Sequence, residues 1–537
     1  MKAARTAIVL VMLAVAIGAA VLRLPRLALR PMHGDEANQA VKTGTLLETG
    51  VYRYDPHDHH GPSLYYLALP ALWTSGAETA ADISDAMLRV TPALFGVLVV
   101  LLLLLMVDGL GKPAAAVAAV LTAVSPALVF YSRYYVQEML LVCFTLATLA
   151  TAWRYVVTRR WVWAVAAGAS LGLMYATKET WILAGAAMVG ALVLTLLWQR
   201  CGAKQTLNLR AYLSPKALVP ALAAAIVVAV VLYTSFFTHA RGPLDSVLTY
   251  WHNAVRVGEQ SLHDHEPLWY LKMLAFSRWV TGTSVGPWWS EGLILVLAVV
   301  GLAAAFTGRG LGEAHRGLAR FLGLYTILLT AAYSVIRYKT PWCASSFLQA
   351  MTLMAGLGAV ALVRWTPTRP LKVLLVLVLA AGMVHLAWQA HRASFRFCVD
   401  QRNPYVYAHT APDAERLAAR VEEVAEVSPR GYGMIVKVIT PTNYWPLPWY
   451  LRRFEEGHVG YYHEVPDNPD ADVIVTTPDC AEAIDARIHE KYNTMCQYGL
   501  RPGVVMILYI REPLWEALVR KWSAPAAPGA AEEGGGP

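Results

Sequence analysis

The sequence predicts a polytopic α-helical membrane protein with about eleven transmembrane helices, followed by a small extracytoplasmic α/β domain. Of its 537 residues, 56% are hydrophobic and only 15% are charged, whereas about a quarter of the residues of a soluble protein are charged. The hydrophobic residues form runs that approach the roughly 20 residues needed to cross a bilayer core of about 30 Å. After about residue 390 these runs stop, and shorter helix-like and strand-like patterns replace them.

The apolar runs define the predicted spans and their orientation. They lie at residues 7–24, 89–107, 114–131, 139–157, 162–177, 181–198, 217–237, 288–306, 321–336, 344–363 and 371–389. Alternate loops differ in charge: one set is rich in Lys and Arg, and the other carries the acids. The positive-inside rule then predicts a cytoplasmic N-terminus and an external C-terminus, in the plasma (inner) membrane. Alternatively, the first run with its basic start is a cleaved signal peptide.

Charge and cysteine content exclude two other classes. The net charge of +8 does not indicate nucleic-acid binding, because the basic residues cluster in short loops between spans. The six cysteines have no CxxC spacing, which argues against a zinc or redox framework. Cys480 and Cys496 both fall in the predicted external domain, where they could form a disulfide.

Three regions follow from these patterns: a transmembrane domain at 1–390, an external α/β domain at 391–523 and a disordered tail at 524–537. Two predicted outer loops, 25–88 and 238–287, are too long to be turns. The first contains an apolar stretch at 64–73, which is short for a span and favours an interfacial or re-entrant helix. In the external domain, 414–427 predicts a helix, and 434–439, 473–476 and 504–510 predict strands.

Two acidic positions in predicted outer loops are candidates for chemistry. Asp35-Glu36 follows the first span, and Glu138 precedes the fourth. A carboxylate just outside the membrane can deprotonate an acceptor hydroxyl or bind a metal. The structural alternatives are a helix N-cap at Asp35 and an ion pair between Glu138 and Arg133.

Basic residues at the predicted outer ends of spans are candidates for binding a lipid-linked phosphate. They are Arg133, Lys178, Arg337 and Lys339. Lysines at this depth can extend harmlessly to the headgroups. On the same predicted face as Asp35 and Glu138, they favour stabilisation of charge on a departing phosphate.

Two histidine-rich clusters raise the possibility of a divalent metal. His57 and His59 lie in the first long loop, and His263 and His265 in the second. Their spacing matches no familiar zinc motif, so loop histidines without a ligand are the competing interpretation. No other cofactor is indicated by the sequence.

Taken together, these motifs resemble the GT-C superfamily of polyprenyl-phosphate-dependent membrane glycosyltransferases, which includes the protein O-mannosyltransferases and the aminoarabinose transferases. The resemblance covers about residues 1–390 and rests on Asp35-Glu36-Ala37, His60-Gly61-Pro62-Ser63-Leu64-Tyr65-Tyr66, Ser125-Pro126 with Arg133 and Glu138, Thr177-Lys178-Glu179 and Lys339-Thr340-Pro341. The segments Tyr54-Asp55-Pro56, Tyr338-Lys339-Thr340-Pro341-Trp342 and 444–450 resemble, more narrowly, a branch named for association with flippase activity.

The resemblance implies a hexosyl- or pentosyltransferase acting on the external face, with inversion. Its donor would be a polyprenyl-phosphate sugar, and its acceptor a glycan, lipid or protein. By match, Asp35 would be the base, and Glu138 would position acceptor or metal. Glu36, His60, Tyr65 and Tyr338 would position the acceptor or its loops. His60-Gly61-Pro62 stands where relatives have Lys-Pro-Pro, which puts that loop's phosphate contact in doubt.

Another functional class is compatible with the same outer residues. A non-catalytic partner or transporter that helps to flip polyprenyl-linked sugars would use the basic residues for phosphate but would not need Asp35. The predicted span centres lack charged residues, which argues against a proton- or ion-coupled transporter.

Overall fold

The computed structural model describes residues 2–58, 60–202, 214–256, 263–281 and 283–524. It divides into two compact units. The first comprises residues 1–29 and 42–407, and the second comprises residues 30–41 and 408–537. The predicted disordered tail lies, beyond Ala524, outside the described residues.

Apolar helices dominate the first unit. Within the described residues, eight helices are long and apolar enough to cross a membrane: Thr6–Arg23, Asp85–Leu110, Glu138–Thr158, Trp181–Arg200, Pro215–Tyr233, Arg316–Val335, Pro341–Trp365 and Arg369–Arg396. Three shorter apolar helices are Lys112–Val124, Trp161–Tyr175 and Gly292–Thr307. Each of these helices coincides with one predicted span, which confirms the prediction of a polytopic helical membrane protein.

Close backbone contact holds some of these helices together. Gly301 of Gly292–Thr307 meets the segment at Met354, where an added Cβ would lie 2.0 Å from a carbonyl oxygen. Gly358 returns the contact, because its Cβ would lie 1.9 Å from the carbonyl oxygen of Leu297. In a bilayer, where lipid is as apolar as leucine, such close approach of small residues supplies van der Waals energy for helix association.

Further helices join the spans. They are Gly34–Thr49, Ser63–Thr74, Pro126–Tyr131, Gly242–Arg256 and Trp269–Ala275. Ser63–Thr74 matches the predicted short helix at 64–73, whereas Gly242–Arg256 was not predicted. Two antiparallel strands, β1 (Ser277–Thr281) and β2 (Ser284–Trp289), precede Gly292–Thr307. The span predicted to begin at 288 therefore begins later, because apolar strand residues extended its hydropathy signal.

The second unit contains a five-stranded mixed sheet. Its strands are β3 (Val436–Ile439), β4 (Val459–Tyr462), β5 (Val473–Thr476), β6 (Tyr492–Arg501) and β7 (Val504–Arg511), in the order β4-β3-β5-β7-β6. Strand β3 pairs in parallel with β4 and β5, whereas β7 is antiparallel to β5 and β6. The sequence predicted β3, β5 and β7 but missed β4 and β6, whose polar and glycine residues weaken the strand pattern.

Helices cover both faces of this sheet. Asp413–Val427 and Glu512–Ser523 pack over one face, and Pro478–Asp485 covers the other. All four residues of the central strand β5 are buried, as expected for a strand covered on both sides. Cys480 lies buried in the second of these cores as a free thiol, so it forms no disulfide in this structure.

Candidate functional site

The turn that precedes Asp35 is fixed by a buried ion pair. Arg30 donates to both carboxylate oxygens of Glu36, at 2.5 and 3.0 Å. The same carboxylate accepts the His33 backbone N–H at 3.0 Å. A two-pronged contact between a guanidinium and a carboxylate restricts both side chains and the backbone between them. Glu36 therefore shapes the turn, and Arg30, six residues earlier, is a contributor that the sequence interpretation missed.

Asp35 itself remains accessible to solvent. The side chain is 55% exposed, and its carboxylate lies 4.0 Å from His33 Nδ1. Its backbone N–H donates to the same nitrogen at 3.1 Å. The helix Gly34–Thr49 has begun before this residue, and Ala37 N–H already bonds to the His33 carbonyl. The alternative of an N-cap at Asp35 is therefore wrong, because Asp35 lies within the first helical turn.

Residues of the C-terminal part of the second unit hold this turn in place. The Met32 N–H donates to the Tyr450 hydroxyl at 2.7 Å, and the Met32 carbonyl accepts from Thr410 at 2.6 Å. Gly34 packs against Trp445, since a Cβ on Gly34 would lie 3.4 Å from the Trp445 Cβ. The turn that carries Asp35 is thus a structural part of the α/β domain. No local pattern could have shown this, because the contacts span about 380–420 residues.

In the first unit, Glu138 and Lys178 form a buried ion pair, with 4% and 8% of their side chains exposed. The predicted alternative of a Glu138–Arg133 pair is wrong, because the partner of Glu138 is Lys178. Burial alone would lower the pKa of Lys178, but attraction by the Glu138 carboxylate raises it above the ordinary lysine value. The lysine is therefore held in its charged form against Glu138.

Arg133 serves the backbone after the first span. Its guanidinium donates to the carbonyl oxygens of Arg23, Pro25 and Arg26 at 2.8, 2.7 and 2.9 Å. It also lies 4.4 Å from the centre of the Phe395 ring. These contacts cap the C-terminal end of the first helix, where backbone carbonyl groups lack hydrogen-bond partners within the helix. The predicted contact of Arg133 with the donor phosphate stays a prediction.

The loop at His60 meets the loop at Glu179. His60 Nδ1 lies 2.6 Å from the Glu179 carboxylate, which is also 3.4 Å from the Tyr54 hydroxyl. Next to them, Ser63 N–H donates to the Ala176 carbonyl at 2.9 Å. Glu179 is a second contributor absent from the predicted site. By contrast, Tyr65 is fully buried and packs 4.7 Å from Tyr52, so it belongs to the core rather than to an accessible surface.

Lys339 lies in a segment that is fastened to the second long loop. Lys339 N–H donates to the His263 carbonyl at 2.9 Å, and the backbones of Tyr338 and Asp264 form an isolated antiparallel β-bridge. The Lys339 ammonium donates to the carbonyl oxygens of Ile336 and His265 and is only 1% exposed as a residue. Burial lowers its pKa, against the opposing attraction of Asp264.

The charge of Lys339 is incompletely balanced. Within the described part of the chain, no carboxylate lies within 4.0 Å of its ammonium, unlike that of Lys178. Arg337 differs from it, because its side chain is 77% exposed and lies 3.5 Å from Asp264. Tyr338 is also exposed, and its ring contacts that of His263. Lys339 and Arg337 therefore differ in burial and in charge balance, and the binding of a phosphate by either stays a prediction.

The histidine clusters do not assemble into a metal centre within the described residues. No group of three or more His, Cys, Asp or Glu side chains there could hold an ion. His57 contacts the His252 ring, His263 bonds to the Tyr407 hydroxyl at 2.7 Å, and His265 stacks on Trp269. His59, the remaining predicted ligand, lies outside the described residues.

Sequence comparison relates one part of the chain to a known family. Residues 65–242 match the family of dolichyl-phosphate-mannose-protein mannosyltransferases. No curated protein sequence matches the chain.

Solved structures share the fold over nearly the whole chain. ArnT from Cupriavidus metallidurans bound to undecaprenyl phosphate aligns over 93% of this chain and 97% of its own, with 16% identity and a TM-score of 0.62. The Archaeoglobus fulgidus oligosaccharyltransferase aligns over 94% of this chain and 76% of its own, with 14% identity and a TM-score of 0.52. The narrower placement in the flippase-associated branch stays a prediction. The family match over residues 65–242 and the fold shared with these two proteins agree with the predicted resemblance to the GT-C superfamily.

Proposed function

We propose that this protein transfers a sugar from a polyprenyl-phosphate donor to an acceptor hydroxyl on the extracytoplasmic face of the membrane, with inversion. The family match to mannosyltransferases that use a dolichyl-phosphate sugar supports this donor class. So does the shared fold with ArnT, which binds undecaprenyl phosphate. The uneven distribution of basic residues between alternate loops supports the external orientation.

The observation that carries the proposal is the accessible Asp35 carboxylate on a turn fixed by Arg30 and Glu36. In the reaction, Asp35 accepts the proton of the acceptor hydroxyl, and the hydroxyl oxygen forms a bond to the anomeric carbon. The bond from that carbon to the phosphate oxygen breaks, and the polyprenyl phosphate leaves with the electron pair. Attack from the opposite side inverts the anomeric configuration.

Each group makes a separate contribution. General-base catalysis by one positioned carboxylate accelerates such a step by about 10²–10⁴-fold. Phosphate leaves readily once its charge is stabilised, and Lys339 is the predicted electrostatic partner for it. The Glu138–Lys178 pair is assigned to positioning, because each charge already satisfies the other.

The test compares wild type with Asp35→Asn and Asp58→Asn in purified full-length protein. Asp58 is a matched control, since its side chain is 53% exposed, belongs to the same long loop and pairs with Lys42. Transfer would be measured from radiolabelled polyprenyl-phosphate sugars to extracted membrane acceptors, with donor binding measured in parallel.

We expect Asp35→Asn to retain donor binding and to lose at least 100-fold in transfer, and Asp58→Asn to stay near wild type. Equal transfer by Asp35→Asn and wild type would remove Asp35 from the mechanism. If wild type binds donor but transfers to no acceptor pool, and instead speeds movement of the donor across vesicles, the flippase-partner function is the correct one.

A further inference from the structure

A group of neighbouring aromatic rings, tilted by about 30° to one another, lies beside the Asp35 turn within the second unit. Trp445 packs against Gly34, the residue directly before Asp35. Tyr444 lies 6.4 Å from Trp445, with an angle of 32° between the rings. The rings of Tyr461 and His463 also pack on Tyr444. Their ring centres lie 4.8 and 5.3 Å from that of Tyr444, at interplanar angles of 32° and 30°. We call Tyr444, Trp445 and His463 the aromatic platform.

The platform is accessible, unlike the neighbouring aromatic residues of its motif. Tyr444 and Trp445 are partly exposed, and His463 is exposed. Trp449, by contrast, is completely buried and lies under the Arg452 guanidinium at 3.7 Å. Tyr450 uses its hydroxyl to hold Met32. Only the first part of the motif is therefore available to a ligand.

The backbone beneath the platform is fixed. Trp445 N–H donates to the Asn443 side chain at 2.9 Å, and Arg501 of strand β6 donates to the Trp445 carbonyl at 3.3 Å. Tyr444 and Tyr461 also pack against the buried core of the sheet. Rings held in this way offer contact area at a small cost in side-chain entropy.

The chemistry of such a surface favours a sugar ring. The face of an aromatic ring carries negative potential, and the C–H groups on one face of a pyranose carry positive potential. A platform beside a carboxylate base would bind the ring through its apolar face and present a ring hydroxyl for deprotonation. An aromatic residue that merely anchors to the headgroup level has no need for such a neighbour.

We propose that the aromatic platform binds the acceptor and that the acceptor is a carbohydrate. This inference rests on the proposed glycosyl transfer and specifies its acceptor class. A polypeptide hydroxyl and a lipid hydroxyl are then the competing outcomes. The platform would bind the sugar that receives the new bond.

The experiment uses full-length protein in detergent and the variants Trp445→Ala, Trp445→Phe and Tyr444→Ala. Trp522→Ala is the matched control, because Trp522 is a half-exposed tryptophan on helix Glu512–Ser523 of the same domain. Binding of a panel of mannose, galactose, glucose and N-acetylglucosamine oligosaccharides would be followed by saturation-transfer NMR. Kinetic constants for transfer to the same panel would be measured separately.

Trp445→Ala and Tyr444→Ala should each raise the acceptor KM about tenfold and weaken saturation transfer, with donor affinity unchanged. Trp445→Phe should recover most of the binding, since it keeps a flat ring, and Trp522→Ala should match wild type. Unchanged acceptor KM in both alanine variants, or transfer to peptide or lipid hydroxyls without saturation transfer from any oligosaccharide, would overturn the platform. Oligosaccharide binding that depends on Trp445 in a protein that transfers nothing would support the platform and refute the glycosyl transfer.

Discussion

Breaking the Glu138–Lys178 pair one partner at a time should destabilise the protein more than removing both. Lys178→Met leaves the Glu138 carboxylate buried without its cation, and Glu138→Gln leaves the ammonium without its anion. Removal of one partner of a buried pair costs about 3–5 kcal/mol, because the remaining charge keeps its desolvation penalty. Replacing both residues by neutral side chains of similar size removes both charges and should cost much less.

The assay is thermal unfolding of the full-length protein in one detergent, with the pair Glu266–Lys272 as the control. That pair is exposed at 55% and 61%, so Lys272→Met should cost less than about 1 kcal/mol. For a chain of this length, a loss of 3–5 kcal/mol should lower Tm by about 3–4 °C, since the shift per kcal/mol falls as size grows. The double variant Glu138→Gln with Lys178→Met should recover most of that loss.

Two results would refute this reasoning. If Lys178→Met lowers Tm no more than Lys272→Met, the pair is hydrated rather than buried. If the double variant loses the sum of the two single losses, the two residues act independently. Transfer activity adds a separate readout: recovery of stability without recovery of transfer would show that the pair is needed for transfer as well as for stability.

The remaining predictions concern the donor phosphate and the Asp35 turn. Lys339→Met should weaken binding of the polyprenyl-phosphate donor at least tenfold. Arg337→Met should change donor binding less than threefold, because the Arg337 side chain is exposed and lies near Asp264. Titration of the donor measures both effects, and equal effects of the two variants would contradict the prediction. Glu36→Gln should reduce kcat at least tenfold with donor affinity preserved, because it weakens the bidentate contact to Arg30 that orients Asp35. Unchanged kcat in a folded Glu36→Gln protein would show that the turn holds its shape without the pair.

Hydropathy was sufficient to find the spans. A membrane helix must satisfy its own backbone and present apolar side chains over about 20 residues, so its signal is local and long. Hydropathy predicted less of the structure between residues 238 and 287. There the helix Gly242–Arg256 mixes polar and aromatic residues, and the strands β1 and β2 are only five and six residues long.

Motifs identified several candidate residues but not their partners. Asp35, Glu138, Lys178 and Lys339 stand out as charges at the edges of apolar runs. Glu138 has an arginine five positions away, yet it pairs with a lysine 40 positions away. Arg133, in turn, is needed by backbone carbonyls about 110 residues earlier. Which of several possible partners pairs with a charged side chain depends on tertiary packing, and spacing along the sequence does not show it.

The sequence by itself determined the class of the protein and the positions of its apolar helices, and it singled out Asp35 as a candidate. The physical reason is that bilayer thickness and hydrogen-bond satisfaction act on contiguous residues. Tertiary structure alone decided that residues 30–41 pack with the α/β domain and that Trp449 is buried while Trp445 is accessible. The first outcome depends on contacts between segments some 400 residues apart, and both depend on burial that is decided by the folded chain as a whole.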